Sequence, residues 1–102
     1  MSAPLTEAEF SQHLNSNFQV KFTDGELTLE LVEVKSYTAG SNEQDGMERF
    51  SVFFSGPGDI KLPQHIYHLA HETMGEFDIF LVPVGGDDKG YRYEAVFNYF
   101  KT

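Results

Sequence analysis

The alternation of apolar and polar residues marks this chain as β-rich. Phe18, Val20 and Phe22 alternate with Gln19, Lys21 and Thr23, which is the period of a half-buried strand. Asp24-Gly25 follows, a two-residue hairpin signal because both types accept positive φ. The returning strand, residues 26–37, changes phase. Leu27, Leu29 and Leu31 share one face, and then Val32 and Val34 take over. One face cannot hold both sets at period two, so a bulge near Leu31-Val32 is expected, as in a sheet that curls towards a barrel.

Four more strands follow from the same reading, at about residues 49–55, 65–71, 76–84 and 91–100. The polar stretch 38–47 is the longest loop, and Ser55-Gly56-Pro57-Gly58-Asp59 breaks the third strand. Residues 52–54 and 79–82 are apolar on both faces, which suits a curled sheet or small barrel. Pro83 cannot donate a ladder hydrogen bond, so it predicts an edge or a bulge. Tyr91, Tyr93, Ala95, Phe97 and Tyr99 share one face of the last strand.

Ahead of the strands, Thr6-Glu7-Ala8-Glu9 is a capping box. Phe10 and Leu14 stand at i and i+4 beyond it, so a helix over about residues 6–14 is expected. The strands themselves span about 17–23, 26–37, 49–55, 65–71, 76–84 and 91–100. The predicted fold is mainly β (α+β). About six antiparallel strands form a meander in a curled sheet or small barrel, with the short N-terminal helix over one open end.

Composition narrows the function classes. At 102 residues the chain is expected to be a single domain, 1–102, able to bury roughly two thirds of its unfolded surface. It has no cysteine, which excludes disulfides, thiolate metal sites and a Cys nucleophile. Seven bases against sixteen acids give 7 − 16 = −9. That charge repels phosphate backbones, so no nucleic-acid partner is expected. Apolar runs are only a few residues long, so no membrane span is expected. The N-terminus has neither a basic nor an apolar leader segment, so a cytoplasmic location is expected. Ten Phe and five Tyr without Trp fit strands whose thick side chains fill a small core.

Three patterns invite a chemical reading. His65, His68 and His71 recur at equal spacing. On a strand His65 and His71 share a face about 20 Å apart while His68 points the other way, whereas one metal ion needs ligand nitrogens about 2 Å from it. Surface histidines are the simpler reading, and no metal or cofactor is expected. Glu33-Val34-Lys35 with Asp24 matches the E-x-K half of a metal-dependent nuclease site, but the spacing is common by chance, and the charge opposes the substrate. The segment "VGGDDKG", residues 84–90, has glycines and carboxylates but no phosphate-loop pattern and no helix after it. Asp87 and Asp88 alone are too few for a calcium cage. It reads as a hairpin loop.

The second half of the chain resembles a bacterial family of small domains of unknown function. The resemblance rests on Phe50-Ser51-Val52-Phe53-Phe54, Gly56-Pro57, Leu62-Pro63-Gln64, Tyr67, Leu69, His71, Gly75, residues 80–85 (F-L-V-P-V-G) and residues 90–98 (G-Y-R-Y-E-A-V-F-N). It implies an uncharacterised domain with no assigned catalytic residues, and an association with phage-tail-like and tail-collar proteins. The matching positions are mostly strand apolars and turn residues; the polar exceptions are His71, Arg92, Glu94 and Asn98.

The expected function is therefore a non-enzymatic, acidic binding or assembly module. Its contacts are expected to be with a protein partner or a second copy, through an edge strand at residues 91–100. Candidate contact residues are His71, Arg92, Glu94, Asn98, Tyr91 and Tyr93. The alternatives are a small-molecule-binding β-barrel and a metal-dependent enzyme.

Overall fold

The computed structural model describes residues 5–37, 47–87 and 90–100. The expected polar loop lies almost wholly outside the described residues, as do residues 88–89 of the last hairpin.

A short helix, α1 (Glu7–Ser11), precedes six strands: β1 (Asn17–Phe22), β2 (Gly25–Ser36), β3 (Met47–Gly56), β4 (His65–His71), β5 (Gly75–Asp87) and β6 (Gly90–Phe100). They form a closed antiparallel barrel in the order β1-β2-β3-β6-β5-β4. The predicted curled sheet or small barrel is thus closed, but it is not a simple meander. Two three-stranded meanders, β1–β3 and β4–β6, are joined by a crossover at residues 57–64. The crossover places β4 beside β1, and β6 between β3 and β5.

Closure rests on a short ladder. β1 and β4 pair only at Gln19↔Ala70, Val20↔Leu69 and Lys21↔His68. Two bulges bend the wall as the sequence predicts. The β2–β3 register shifts between Leu31 and Glu33, leaving Val32 as the extra residue and returning Val34 to the inner face opposite Val52. The β5–β6 register shifts between Pro83 and Gly85.

The C-terminal strand is only in part the open edge that its aromatic run suggested. Residues 91–94 of β6 lie between β5 on one side and β3 on the other. From Ala95 onward β6 pairs with β3 alone. There β5 and β6 part, and the buried Phe10 ring of α1 packs against both strands. It lies 6.1 Å from Phe77 and 5.5 Å from Phe97, with Phe18 and Phe50 behind.

The helix is shorter than predicted. Thr6 caps it by accepting from the Glu9 amide at 3.1 Å, but the chain leaves the helix after Ser11 and turns through Asn15 at φ 69°. Leu14 is consequently exposed rather than paired with Phe10. Reciprocal backbone bonds, Asn15 N–H to the Leu31 carbonyl and Leu31 N–H to the Ser16 carbonyl, pin this turn to β2.

The lumen is packed with the chain's own side chains. Phe18, Leu29, Leu31, Phe50, Phe54, Leu69, Leu81 and Tyr93 are fully excluded from solvent. Phe22, which alternation placed with Phe18, is instead 41% exposed, and Phe80 in the run apolar on both faces is 50% exposed. Phe22 sits at the barrel rim, and Phe80 points outward opposite Ile66. The crossover closes the rim near Phe22: the Tyr93 hydroxyl accepts from the Leu62 amide at 2.9 Å, and the Tyr67 hydroxyl donates to the Pro63 carbonyl at 2.6 Å. No helix among the described residues is long and apolar enough to cross a membrane.

Gly90 opens β6 at φ +146°, and a Cβ there would collide with the Gly56 carbonyl oxygen. No side chain fits where the last hairpin crosses the end of β3. Gly90→Ala is expected to cost about 2 kcal/mol or more in denaturant unfolding; a loss under about 0.5 kcal/mol would contradict the packing. Phe10→Ala leaves a void among four aromatic rings and is expected to cost about 3–5 kcal/mol, read from the shift in the urea midpoint at unchanged slope.

Candidate functional site

A groove opens where β1 and β4 separate. Beyond Lys21↔His68, β1 turns at once into its hairpin, with Phe22 paired to Gly25. β4 extends further: residues 65–67 stay paired with Leu81, Phe80 and Ile79 of β5 on one side. Among the described residues no strand pairs with the other side of 65–67. The space between the two strands encloses about 390 Å³ and is lined by Lys21, Phe22, Thr23, His65, Ile66, Tyr67, His68 and Asp78. Its floor is aromatic. The Phe22 and Tyr67 rings meet edge to face at 6.2 Å, and His65 lies 5.5 Å from Tyr67. Ile66 stands on the outer wall, 60% exposed.

The rim carries the charge. His68 Nδ1 lies 2.7 Å from Asp78 Oδ1, and its Nε2 lies 2.7 Å from Glu76 Oε1. A neutral imidazole has one N–H, so only the imidazolium donates to both carboxylates. Those hydrogen bonds, Glu76 first and Asp78 second, raise the His68 pKa above its ordinary value. The His68 bond in turn lowers the Glu76 pKa. Beside them Lys21 donates to Glu26 at 2.7 Å. These groups do not make a metal site. The two carboxylates occupy opposite edges of one ring, so their oxygens and a ring nitrogen do not converge. Among the described residues no group of three His, Asp or Glu side chains could hold an ion.

His71 is used differently. It turns inward at the far end of β4, its ring 4.3 Å from Phe18 and 4.7 Å from His13. Its Nδ1 accepts from the Thr73 and Met74 amides, each at 3.0 Å. The proton of the neutral ring is therefore on Nε2, which donates to Ser16 Oγ at 2.9 Å. Ser16 in turn donates to the His13 carbonyl. The hydroxyl proton points away from the imidazole, so this Ser–His pair is not an activated nucleophile. It fastens the β4–β5 turn to the segment after α1. Burial, and then the neighbouring His13, push the His71 pKa down.

The residues singled out from sequence do not converge. Arg92 and Glu94 share the outer face of β6 but find other partners. Arg92 bonds Glu33 at 2.9 Å and stacks over Phe53 at 5.1 Å, while Glu94 accepts from the buried Ser51 hydroxyl at 2.6 Å. Tyr93 lies inside the lumen, and Tyr91 is half-buried beneath Lys61. The side chain of Asn98 lies outside the described residues. Of the E-x-K set, Glu33 is tied to Arg92, Lys35 sits over Tyr37, and Asp24 is in the turn at the opposite end of β2. The three histidines are dispersed: His65 on the groove floor, His68 on the rim and His71 inside. Sequence reasoning missed Lys21, Phe22, Ile66, Tyr67 and Asp78. One signal pointed to them: Ile66 is an apolar residue on the same strand face as His68.

The two buried or bridged histidines predict opposite titrations. His68, with its folded pKa raised, stabilises the fold below its unfolded value near 6.5, and that contribution is lost as pH rises through the folded pKa. His71, with its folded pKa lowered, contributes above 6.5 and loses that contribution as pH falls towards the folded pKa. In an NMR titration of the ring carbons, His68 is expected to have its midpoint above 6.5 and His71 below it. The reverse order would contradict the bridging of His68 by Glu76 and Asp78 and the burial of His71 beside His13.

Comparison with known proteins gives a family and no function. A search of curated proteins found no match. A search of solved structures also found none. The model of one family, a domain of unknown function, spans residues 5–97, which takes in α1, all of β1 to β5 and most of β6. The chain belongs to the DUF6916 family.

Proposed function

We propose that this chain is a non-enzymatic binding or assembly module that docks a protein partner on the outer wall of its barrel, at the groove between β1 and β4. The observation that carries this reading is the parting itself, which leaves a strand edge, an aromatic floor and a charged rim together at the surface. The packed lumen supports an external site over a small-molecule cavity. The direction of the Ser16–His71 hydrogen bonds supports a structural role for the one hydroxyl–imidazole pair that could suggest catalysis. A charge of −9 favours a partner with basic character over nucleic acid. The bacterial origin and the tail-protein association implied by the sequence resemblance belong to the same proposal, and they suggest an assembly context for the partner.

Site-specific photocrosslinking tests it. With p-benzoylphenylalanine placed at Ile66, irradiation of cells that naturally contain the protein is expected to give a discrete protein adduct. The same probe at Thr28, exposed elsewhere on the outer wall, is expected to give none. Absence of an adduct at Ile66, or equal adducts at both positions, would overturn the assignment of the contact.

A further inference from the structure

At the far end of β4 from the groove, one imidazole joins separate pieces of the chain. The turn between β4 and β5 has only three residues, 72–74, and Gly75 follows it at φ 85°. The Thr73 and Met74 amides both donate to His71 Nδ1, each at 3.0 Å. Across the ring, Nε2 meets Ser16 Oγ at 2.9 Å, and Ser16 donates on to the His13 carbonyl. Phe18 of β1 lies 4.3 Å from the ring. Met74, carried by the turn, is wholly buried.

This junction admits one protonation state. Two backbone N–H groups can donate to Nδ1 only while that atom keeps its lone pair. A proton placed there would face two amide donors. The imidazolium therefore forms only when the turn amides leave. Burial favours the neutral ring as well, and so does His13, while Glu72 of the turn works against them. The His13 ring stands 4.7 Å away, and its Nε2 lies 3.2 Å from Glu9 of α1, an ion pair once His13 is protonated. Two imidazolium rings at that spacing repel, so acid strains the junction from both sides. Further along β4 the opposite holds. The His68 bridge to Glu76 and Asp78 needs the imidazolium, so acid tightens it.

We propose that His71 is an acid-released latch. When neutral, it fastens the β4–β5 turn to the segment after α1. When protonated, it lets residues 72–74 lift away and uncovers Met74, while the six strands stay paired. The device does not depend on what the groove binds.

A ring that takes up no proton while latched and titrates near 6.5 once released sets the size of the effect. The open population of the turn is expected to rise about thirtyfold between pH 7.5 and pH 5.0, a window above the ordinary range of Asp and Glu. Solvent-exchange NMR on the full chain reads it, each amide rate being divided by that of an unfolded amide at the same pH. Protection of the Thr73 and Met74 amides should be level above about pH 7 and fall below about pH 6.5, while the β3–β6 ladder keeps its protection. His71→Asn supplies an acceptor oxygen that does not titrate. In that variant, protection at Thr73 and Met74 should be the same at both pH values, whatever its absolute level. Unchanged protection of these two amides in the wild-type chain would overturn the latch. An equal loss across the β3–β6 ladder would do so too, since the whole barrel would then be opening. So would a His71→Asn chain that keeps the wild-type pH dependence.

Discussion

Three rungs between β1 and β4 hold the barrel shut. Without Gln19↔Ala70, Val20↔Leu69 and Lys21↔His68, both strands would be sheet edges, exposing unpaired backbone to any other chain. The ladder is short for a physical reason. The Thr23-Asp24 turn, not the Asp24-Gly25 turn expected from sequence, brings Phe22 into pairing with Gly25, while β4 begins at His65 and is held to β5 from its first residue. One strand turns away before the other has started to need it. Closure and the groove are thus two outcomes of the same mismatch in strand length.

Phenylalanine makes the rest possible. A six-stranded barrel has a narrow lumen, and Phe18, Phe50, Phe54 and Tyr93 fill it without tryptophan. The polar groups near the lumen all serve the fold. Tyr93 and Tyr67 tie down the crossover, Ser51 is bonded to Glu94, and His71 holds the turn after β4. Every buried side-chain nitrogen or oxygen among the described residues has a partner, so the interior offers no unsatisfied group to a ligand. The chemistry left to spare is outside, on the rim of the groove.

The strands were legible because alternation is a local property. Phe18-x-Val20, the slip at Leu31-Val32 and the bend at Pro83 each show in a few consecutive residues, and each appears in the structure as a strand or a bulge. Strand order was not legible. Hairpin signals join only neighbours in sequence, whereas β3–β6 and β1–β4 are distant pairs that depend on where the crossover lands. The same limit governed the site. The groove draws on β1, its turn, β4 and β5, and no single motif contains them. Arg92, Glu94 and His71 stood out as polar residues in an apolar pattern, yet each is occupied by a contact that only the closed barrel creates: Glu33 and Phe53, Ser51, and Ser16 with the turn amides.

β4 is closed on both sides at residues 68–70 and, among the described residues, open on one side at residues 65–67. Amide hydrogen exchange followed by NMR at residue resolution measures this contrast directly. Slow exchange is expected throughout the β1–β4 ladder. Within residues 65–67, slow exchange is expected for amides facing β5 and near-unprotected exchange for those facing β1. Uniform protection across residues 65–70 would mean that the edge is already covered and would contradict the account.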